Sequence, residues 1–175
     1  MAKIYDFVLT EGTVAATAVT AQMPAHESGM LLLAFCNADG GQYFPTPPAG
    51  WADIPGTPAV TGTGHGSRVY YKIAASSSET LSFTNTASDT YTVTVVAVQD
   101  VDTGTPFDGN CTKRTSDDSS VPFAGIAKTT TVDNALVFTF LSTDGGMGPV
   151  CTPGWTNLVN GDAGANSGGL AYRVQ

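Results

Sequence analysis

Apolar and polar residues alternate along much of this chain, which is the pattern of β-strands that bury one face. In the segment 67–74, for example, Val69, Tyr71 and Ile73 share one face. The segment 30–36 is apolar throughout, which favours a strand that is buried on both faces or lies at the centre of a sandwich. Strands are predicted at residues 4–9, 13–23, 30–36, 50–54, 67–74, 80–84, 91–98, 123–130, 135–142, 154–159 and 169–174.

The spacing of these strands indicates the fold class. No segment longer than about eight residues keeps an apolar period of 3.6 residues, so no helix is predicted. Turn-forming residues, mostly Gly, Asp, Asn and Pro, separate the strands at intervals of roughly 8–12 residues. Short strands at such intervals are typical of all-β domains. We therefore predict an all-β fold, an antiparallel β-sandwich that is Ig-like or jelly-roll-like.

The same order of features occurs twice along the chain. An apolar strand is followed by Asp-Gly-Gly, a Pro- and Gly-containing turn before Trp, a Gly-rich loop, and an aromatic strand with a cation near its end. The only two tryptophans, Trp51 and Trp155, each follow a glycine at the matching place. We infer an internal duplicated strand unit, in which the cations Lys72 and Arg173 extend along a strand edge. The matching segments are 28–35 with 133–140, 39–41 with 144–146, 48–51 with 153–155, and 68–73 with 169–174.

The two copies are unequal, because the second lacks equivalents of the strands 80–84 and 91–98. Either the two halves complete one sandwich, or an edge is left open for another subunit. We expect the first, because one shared core leaves less strand edge exposed. The predicted organisation is a single β-sandwich domain over residues 1–175, with half-units at about 13–101 and 123–175 joined by the loop 102–122.

The loop 102–122 has the densest charge in the chain, which includes Lys113, Arg114, Asp117 and Asp118. One interpretation is a solvated crossover between two sheets or two half-units. The other interpretation is an ordered arm that docks on a partner protein.

The net charge narrows the range of partners. The chain has 7 Lys and Arg against 15 Asp and Glu, a net charge of −8, which disfavours electrostatic binding to nucleic acid. Only 13% of its residues are charged, about half of the roughly 25% usual in globular proteins. The longest apolar run, 30–36, is far shorter than the roughly 20 residues that span a bilayer. The first residues show no apolar stretch of a secretory signal. We therefore expect no nucleic-acid partner, no membrane partner and no signal for secretion.

The three cysteines, Cys36, Cys111 and Cys151, form an odd set without Cys-x-x-Cys spacing. We predict reduced thiols; a Cys36–Cys151 bridge is the alternative, because both residues follow comparable positions of the repeat. A zinc site needs more ligands than these thiols and two histidines provide. The Asp-Gly turns are candidate calcium ligands, but they lack the spacing of an EF-hand loop. The sequence therefore predicts no metal site and no cofactor.

Candidate catalytic residues are few. His26 and His65 are the only histidines, and His65 is predicted in a flexible loop before a strand. A triad of Ser67, His65 and an aspartate can be drawn on paper, but no Gly-x-Ser-x-Gly elbow exposes the serine. Asp39 stands beside Gly, which is the residue pattern of a turn. We predict no catalytic residues and no enzymatic activity; a glycan depolymerase is the alternative within the enzyme class.

Aromatic side chains offer a further alternative, a platform on which a sugar would stack. The two tryptophans recur at matching positions of the repeat, so we predict that they pack in the core. The candidate platform residues are Tyr43, Phe44, Trp51, Tyr70 and Trp155.

The repeat unit itself resembles a known class of proteins. Pro-Pro-Ala-Gly-Trp at 47–51, Val-Tyr-Tyr-Lys-Ile-Ala at 69–74, and a Val-rich strand followed by Asp-Val-Asp-Thr-Gly-Thr-Pro-Phe-Asp at 100–108 are its components. Over residues 13–175 the chain resembles β-sandwich structural proteins of tailed bacteriophages, in which Gly often stands at the position of Asp100. The resemblance implies a virion protein without catalytic residues.

Within the virion, the small, acidic, all-β chain is similar to capsid decoration (cement) proteins. That resemblance implies binding to the major capsid protein on the outer capsid surface, after assembly in the host cytoplasm. The expected contacts are β edges, the N-terminal arm or the loop 102–122; self-association as a homo-oligomer, with a trimer as one option, stays open. The alternative is a host-recognition module on the tail or fibre that binds carbohydrate.

Overall fold

The computed structural model describes residues 1–39, 47–56, 59–61, 65–112, 129–144, 153–162 and 166–175. Over these ranges the chain forms strands and turns, and no helix there is long and apolar enough to cross a membrane. The strands are β1 (Lys3–Ala21), β2 (Leu31–Asp39), β3 (Ala52–Asp53), β4 (Ala59–Thr61), β5 (His65–Ile73), β6 (Leu81–Gln99), β7 (Leu136–Asp144), β8 (Thr156–Asp162) and β9 (Asn166–Val174).

The strands form two antiparallel sheets. The larger sheet has the order β1-β6-β2-β5-β3, with β4 also paired to β5, and the smaller sheet has the order β7-β9-β8. Apolar side chains of the two sheets pack against each other in one shared core. The prediction of an all-β fold with an antiparallel, sandwich-like arrangement is therefore confirmed.

The large sheet curls because its two longest strands change register. β1 and β6 have 19 residues each, and their pairing shifts between Gly12 and Ala18. Bulges of this kind bend a strand pair and increase its twist. Beyond the shift, the pair turns over one face of β2 and β5, so that the rings of Phe83 and Tyr70 lie 6.2 Å apart. The result is a half-barrel with its own core.

β2 separates two cores and is buried on both faces, as its apolar sequence predicts. Its even-numbered side chains lie inside the curl together with Trp51 and Tyr70. Its odd-numbered side chains face the smaller sheet. There the ring of Phe35 lies 5.6 Å from that of Phe138 and 5.5 Å from that of Phe140. The face predicted for the segment 67–74 is observed as well, because alternate residues of β5 divide between the same two cores, as those of β6 also do.

The duplicated unit is visible as two matching three-stranded arrangements. β2 pairs with β5 over nine residues, from Leu31 opposite Ile73 to Asp39 opposite His65. β7 pairs with β9 in the same way over nine residues. A third strand then pairs with the other edge of β5 or β9, and it begins directly after Trp51 or Trp155. The glycine before each tryptophan has a positive φ, 80° at Gly50 and 93° at Gly154, a conformation that favours Gly.

The structure differs from the predicted strands in a few places. The segments 4–9 and 13–23 belong to the single strand β1, and 80–84 and 91–98 belong to β6. The polar residues between them lie where the strand pair shifts register and bends, so they continue the strand instead of ending it. β4 was missed, and residues 129–130 are outside any strand, whereas 123–128 lie outside the described residues. The half-unit boundaries at the loop 102–122 stay a prediction.

Candidate protein-interaction surface

His26 is buried and holds a turn. Its exposed fraction is 6%, and its Nε2 accepts a hydrogen bond from the backbone N–H of Glu79 at 3.2 Å. The other ring nitrogen, Nδ1, therefore carries the proton and donates to the carbonyl of Pro24 at 2.7 Å. The Glu79 carboxylate accepts a hydrogen bond from the Ala75 N–H at 2.8 Å and pairs with Lys72. The His26 contact ties the 74–80 turn to the connection between β1 and β2, and the Lys72 contact ties it to β5.

The two named candidates for a catalytic triad, His65 and Ser67, both lie in the strand β5. His65 is the first residue of β5, opposite Asp39, so the prediction that it lies in a flexible loop is wrong. The physical reason is that the β2–β5 ladder continues to the last residue of β2. Ser67 is buried and lies opposite Asn37, whose side-chain oxygen accepts a hydrogen bond from the Ser142 hydroxyl. Ser67 is therefore part of the packed interior between the sheets.

The aromatic residues of the candidate sugar platform differ in how deeply they are buried. Trp51 is buried and its indole N–H donates to the Thr80 carbonyl at 3.1 Å. Tyr70 is fully buried, and this burial raises the pKa of its phenol. Core packing, which was predicted for the two tryptophans, is confirmed for Trp51, and Tyr70 is buried in the same cluster. Trp155 is half-buried, with the Arg173 guanidinium carbon 4.8 Å from its ring centroid. Tyr43 and Phe44 lie outside the described residues.

The repeat-related cations lie where one edge of their strand becomes unpaired. The pairing of β5 with β3 stops at Tyr71 and that of β9 with β8 stops at Tyr172, one residue before Lys72 and Arg173. Lys72 pairs with Glu79, and Arg173 stacks on Trp155. The sequence did not predict the bidentate ion pair between Arg68 and Asp53, whose N–O distances are 2.7 and 2.6 Å. In the sequence, the only sign of this ion pair is the opposite charge of the two residues. They become neighbours only when β3 pairs with β5.

Two of the cysteines are described, and both are free. Cys36 is fully buried, and burial raises the pKa of its thiol. Cys111 is half-buried, and its backbone N–H donates to the Pro55 carbonyl at 2.8 Å. Cys151 lies outside the described residues, so the alternative Cys36–Cys151 bridge stays untested. No group of three His, Cys, Asp or Glu side chains suited to a metal ion occurs in the described ranges.

The N-terminal strand forms an edge of the large sheet with exposed apolar side chains. β1 pairs with β6 on one side only, within the part of the chain that the structure describes. The register passes from Ile4 directly to Asp6, so Tyr5 is the extra residue of a β-bulge. Tyr5 is 45% exposed and Phe7 is 37% exposed. Exposed aromatic side chains beside an open strand edge make this strand a candidate contact surface.

A cleft of about 510 Å³ opens between the two sheets beside this strand. Met1 and Val132 lie at its lining and are 63% and 56% exposed. Together, Met1, Tyr5, Phe7 and Val132 make up four of the five exposed large hydrophobic residues in the described ranges. We call these four residues the N-terminal surface. Met1, Tyr5 and Phe7 are close in the chain, and Met1 and Val132 line the same cleft; exposed apolar groups of this kind are candidate sites of protein interaction.

The segment 101–111 forms one wall of the cleft and is held at several points. The Asp102 carboxylate accepts hydrogen bonds from the Gly104 N–H at 2.9 Å and the Thr105 hydroxyl at 2.8 Å. These bonds lower the pKa of Asp102. The ring of Phe107 meets that of Tyr71 edge to face, with centroids 4.8 Å apart. The first part of the predicted loop 102–122 is thus an ordered arm; residues 113–122 lie outside the described ranges.

Comparison of the chain with protein families, curated protein sequences and solved structures finds no match. We therefore infer the function from the chemistry and geometry of the N-terminal surface and the adjoining cleft.

Proposed function

We propose that this chain is a structural virion protein of a tailed phage. In this proposal it is a capsid decoration protein, which binds the major capsid protein on the outer shell and stabilises the shell. The single observation that carries the proposal is the N-terminal surface: three of the five exposed large hydrophobic residues of the described ranges, Met1, Tyr5 and Phe7, fall within the first seven residues, which include the start of an open edge strand.

The surface suits attachment to another protein in two ways. Burial of Tyr5 and Phe7 against a partner removes apolar area from water, which contributes roughly 25 cal/mol per Å². The open edge of β1 can also accept a strand of the partner by β-augmentation, in which main-chain hydrogen bonds give affinity. A capsid shell presents many identical copies of one such partner site.

The net charge of −8 supports the outer face of the shell over the inner one. Packaged nucleic acid is densely negative, and an acidic chain is repelled by it. The polar side chains that looked available for chemistry instead support the fold. His26, Lys72 and Glu79 hold one turn, and Arg68 is paired with Asp53.

The test is to add the purified chain to capsid shells that lack it. Wild-type protein should sediment with the shells and raise the temperature at which they open. Tyr5→Glu and Phe7→Glu should reduce binding, because each would bury a charge in the contact. Val174→Glu is the matched control, since Val174 is also an exposed apolar residue, 48% exposed, at the end of β9. Wild-type protein that does not bind such shells contradicts the proposal.

The alternative, a carbohydrate-binding module on the tail or fibre, has one supporting observation. Trp155 keeps part of its ring exposed, beside Arg173. Against it, Trp51 and Tyr70 are buried and cannot stack on a sugar. A glycan array compares the two functions directly: binding that is lost in Trp155→Ala supports host recognition.

A further inference from the structure

The cleft beside the N-terminal surface has apolar walls that come from both sheets. Leu33 and Val98 come from the large sheet, and Leu136 and Phe138 come from the small sheet. Phe107 of the ordered arm adds an aromatic side chain. At about 510 Å³, the cleft is within the size range of ligand pockets, roughly 300–1,000 Å³. These walls are suited to one large apolar side chain.

The rim of the cleft has the opposite character. Asp100, Asp102, Asp108 and Asp133 all belong to its lining, whose described side chains include no Lys, Arg or His; the α-amino group of Met1 is the one cationic group among them. Asp108, in the ordered arm, accepts a hydrogen bond from the Thr131 hydroxyl at 2.6 Å, which fixes that carboxylate against the segment before β7. Asp100 has only a long contact to Lys3, 3.8 Å, between two exposed side chains. The rim is therefore a concentration of negative charge around an apolar hollow.

We propose that the cleft binds a segment of a protein partner in which a large apolar side chain is flanked by Lys or Arg. The apolar side chain would enter the hollow, and the flanking cations would meet the four rim carboxylates. The inference deepens the proposed function and rests on it, because it gives the chemistry of the partner segment that reaches the N-terminal surface.

Charge complementarity selects this occupant over others of similar shape. A fatty acid or a nucleic-acid segment would bring negative charge to the same carboxylates and would be repelled. A neutral apolar ligand would fill the walls but leave the rim unused. A basic, apolar peptide uses both parts of the site.

Labelled peptides provide the direct test. Three peptides have one central Phe flanked on both sides by Lys, by Glu or by Ser, and fluorescence anisotropy reports their binding to the full chain. The Lys-flanked peptide should bind most tightly, and added salt should weaken it. Equal binding of the Lys-flanked and Glu-flanked peptides would overturn the inference without any variant.

Variants then locate the binding. Asp100→Asn combined with Asp133→Asn should weaken the Lys-flanked peptide roughly tenfold; Asn tolerates the positive φ of 59° at position 100. Ala135→Phe, which fills the lining, should abolish binding. The matched control is Asp89→Asn, near the middle of β6, nine residues or at most roughly 30 Å along the strand from Val98 of the cleft. Unchanged affinity in both cleft variants overturns the inference.

A shell-binding experiment with the same variant distinguishes a failure of this inference from a failure of the proposed function. If wild-type protein binds shells and the Asp100→Asn/Asp133→Asn variant binds them equally well, the inference is wrong and the proposed function stands. If wild-type protein ignores shells while the peptide results are as expected, the proposed function is wrong and the chemistry of the cleft stands.

Discussion

The Ser142 hydroxyl donates a hydrogen bond to the side-chain oxygen of Asn37, and these two residues occupy equivalent positions of the duplicated unit. Phe35 and Phe140 also occupy equivalent positions of the repeat, and their rings lie 5.5 Å apart. Equivalent residues touch each other when two copies face across a two-fold axis. The sandwich is therefore built like a small symmetric dimer within one chain, with the axis between β2 and β7.

This pairing predicts an energetic coupling between Asn37 and Ser142. Ser142→Ala should lower the free energy of unfolding by about 1 kcal/mol, because a part-buried hydrogen bond is lost. In a double-mutant cycle with Asn37→Ala, urea unfolding should give a coupling energy of about 0.5–3 kcal/mol. Thr139→Ala is the control on the same strand, since Thr139 is exposed. A coupling energy near zero would mean that the two side chains do not interact.

The two tryptophans should differ in their contribution to stability despite their equivalent positions. Trp51→Phe should cost about 2 kcal/mol, because a buried side chain loses volume and its hydrogen bond to Thr80. Trp155→Phe should cost less than about 1 kcal/mol, because Trp155 is half-buried and mainly stacks with Arg173. Urea unfolding of both variants measures the difference. Equal losses would contradict the assignment of Trp51 alone to the core.

The described cysteines should react at different rates. Cys36 is fully buried with a raised thiol pKa, so iodoacetamide should leave it unlabelled in the folded protein. Cys111 is half-buried and should be labelled first. Peptide mapping by mass spectrometry reads each site separately, and labelling in urea supplies the fully reactive reference. Rapid labelling of Cys36 without denaturant would be evidence against its position in the core.

The Glu79 carboxylate should make stability depend on pH. The Lys72 ammonium and the N–H groups of Ala75 and Ser76 lower its pKa below the ordinary value of 4.5. The ionised form is thus favoured in the folded state, and the stability it contributes is present above that ordinary value. It is lost as the pH falls through the lower pKa of the folded state. Thermal unfolding of Glu79→Gln should therefore show a flatter acid limb than wild type.

Glu27→Gln is the control for this measurement, because Glu27 is an exposed glutamate in the neighbouring turn. It should keep the acid limb of the wild-type protein. If Glu79→Gln and wild type lose stability in parallel between neutral and acid pH, the Lys72–Glu79 pair does not contribute as described.

The sequence predicts those features that depend on local pattern. Alternation in β5 gives its two faces, the apolar run in β2 gives its double burial, and the glycines before Trp51 and Trp155 mark the repeat. Features that depend on long-range pairing are not predicted. His65 joins β5 only because β2 continues opposite it. The bulge at Tyr5 likewise exists only in the pairing of β1 with β6, where one strand has an extra residue.

The candidate surface was predicted only in outline. An N-terminal arm and the loop 102–122 were expected contacts, but neither the exposure of Tyr5 nor the cleft follows from composition. The cleft forms where the start of β7, the end of β6 and the ordered arm meet, and these segments are distant in the chain. Only the folded arrangement brings its apolar walls and acidic rim together.

The location of the chain on the virion decides whether it decorates the outer capsid shell, as we propose. Electron microscopy of virions carrying a labelled copy of the chain should show the label at regular positions over the head. Label at the tail tip or along fibres, with none on the head, would contradict the claim and support host recognition instead.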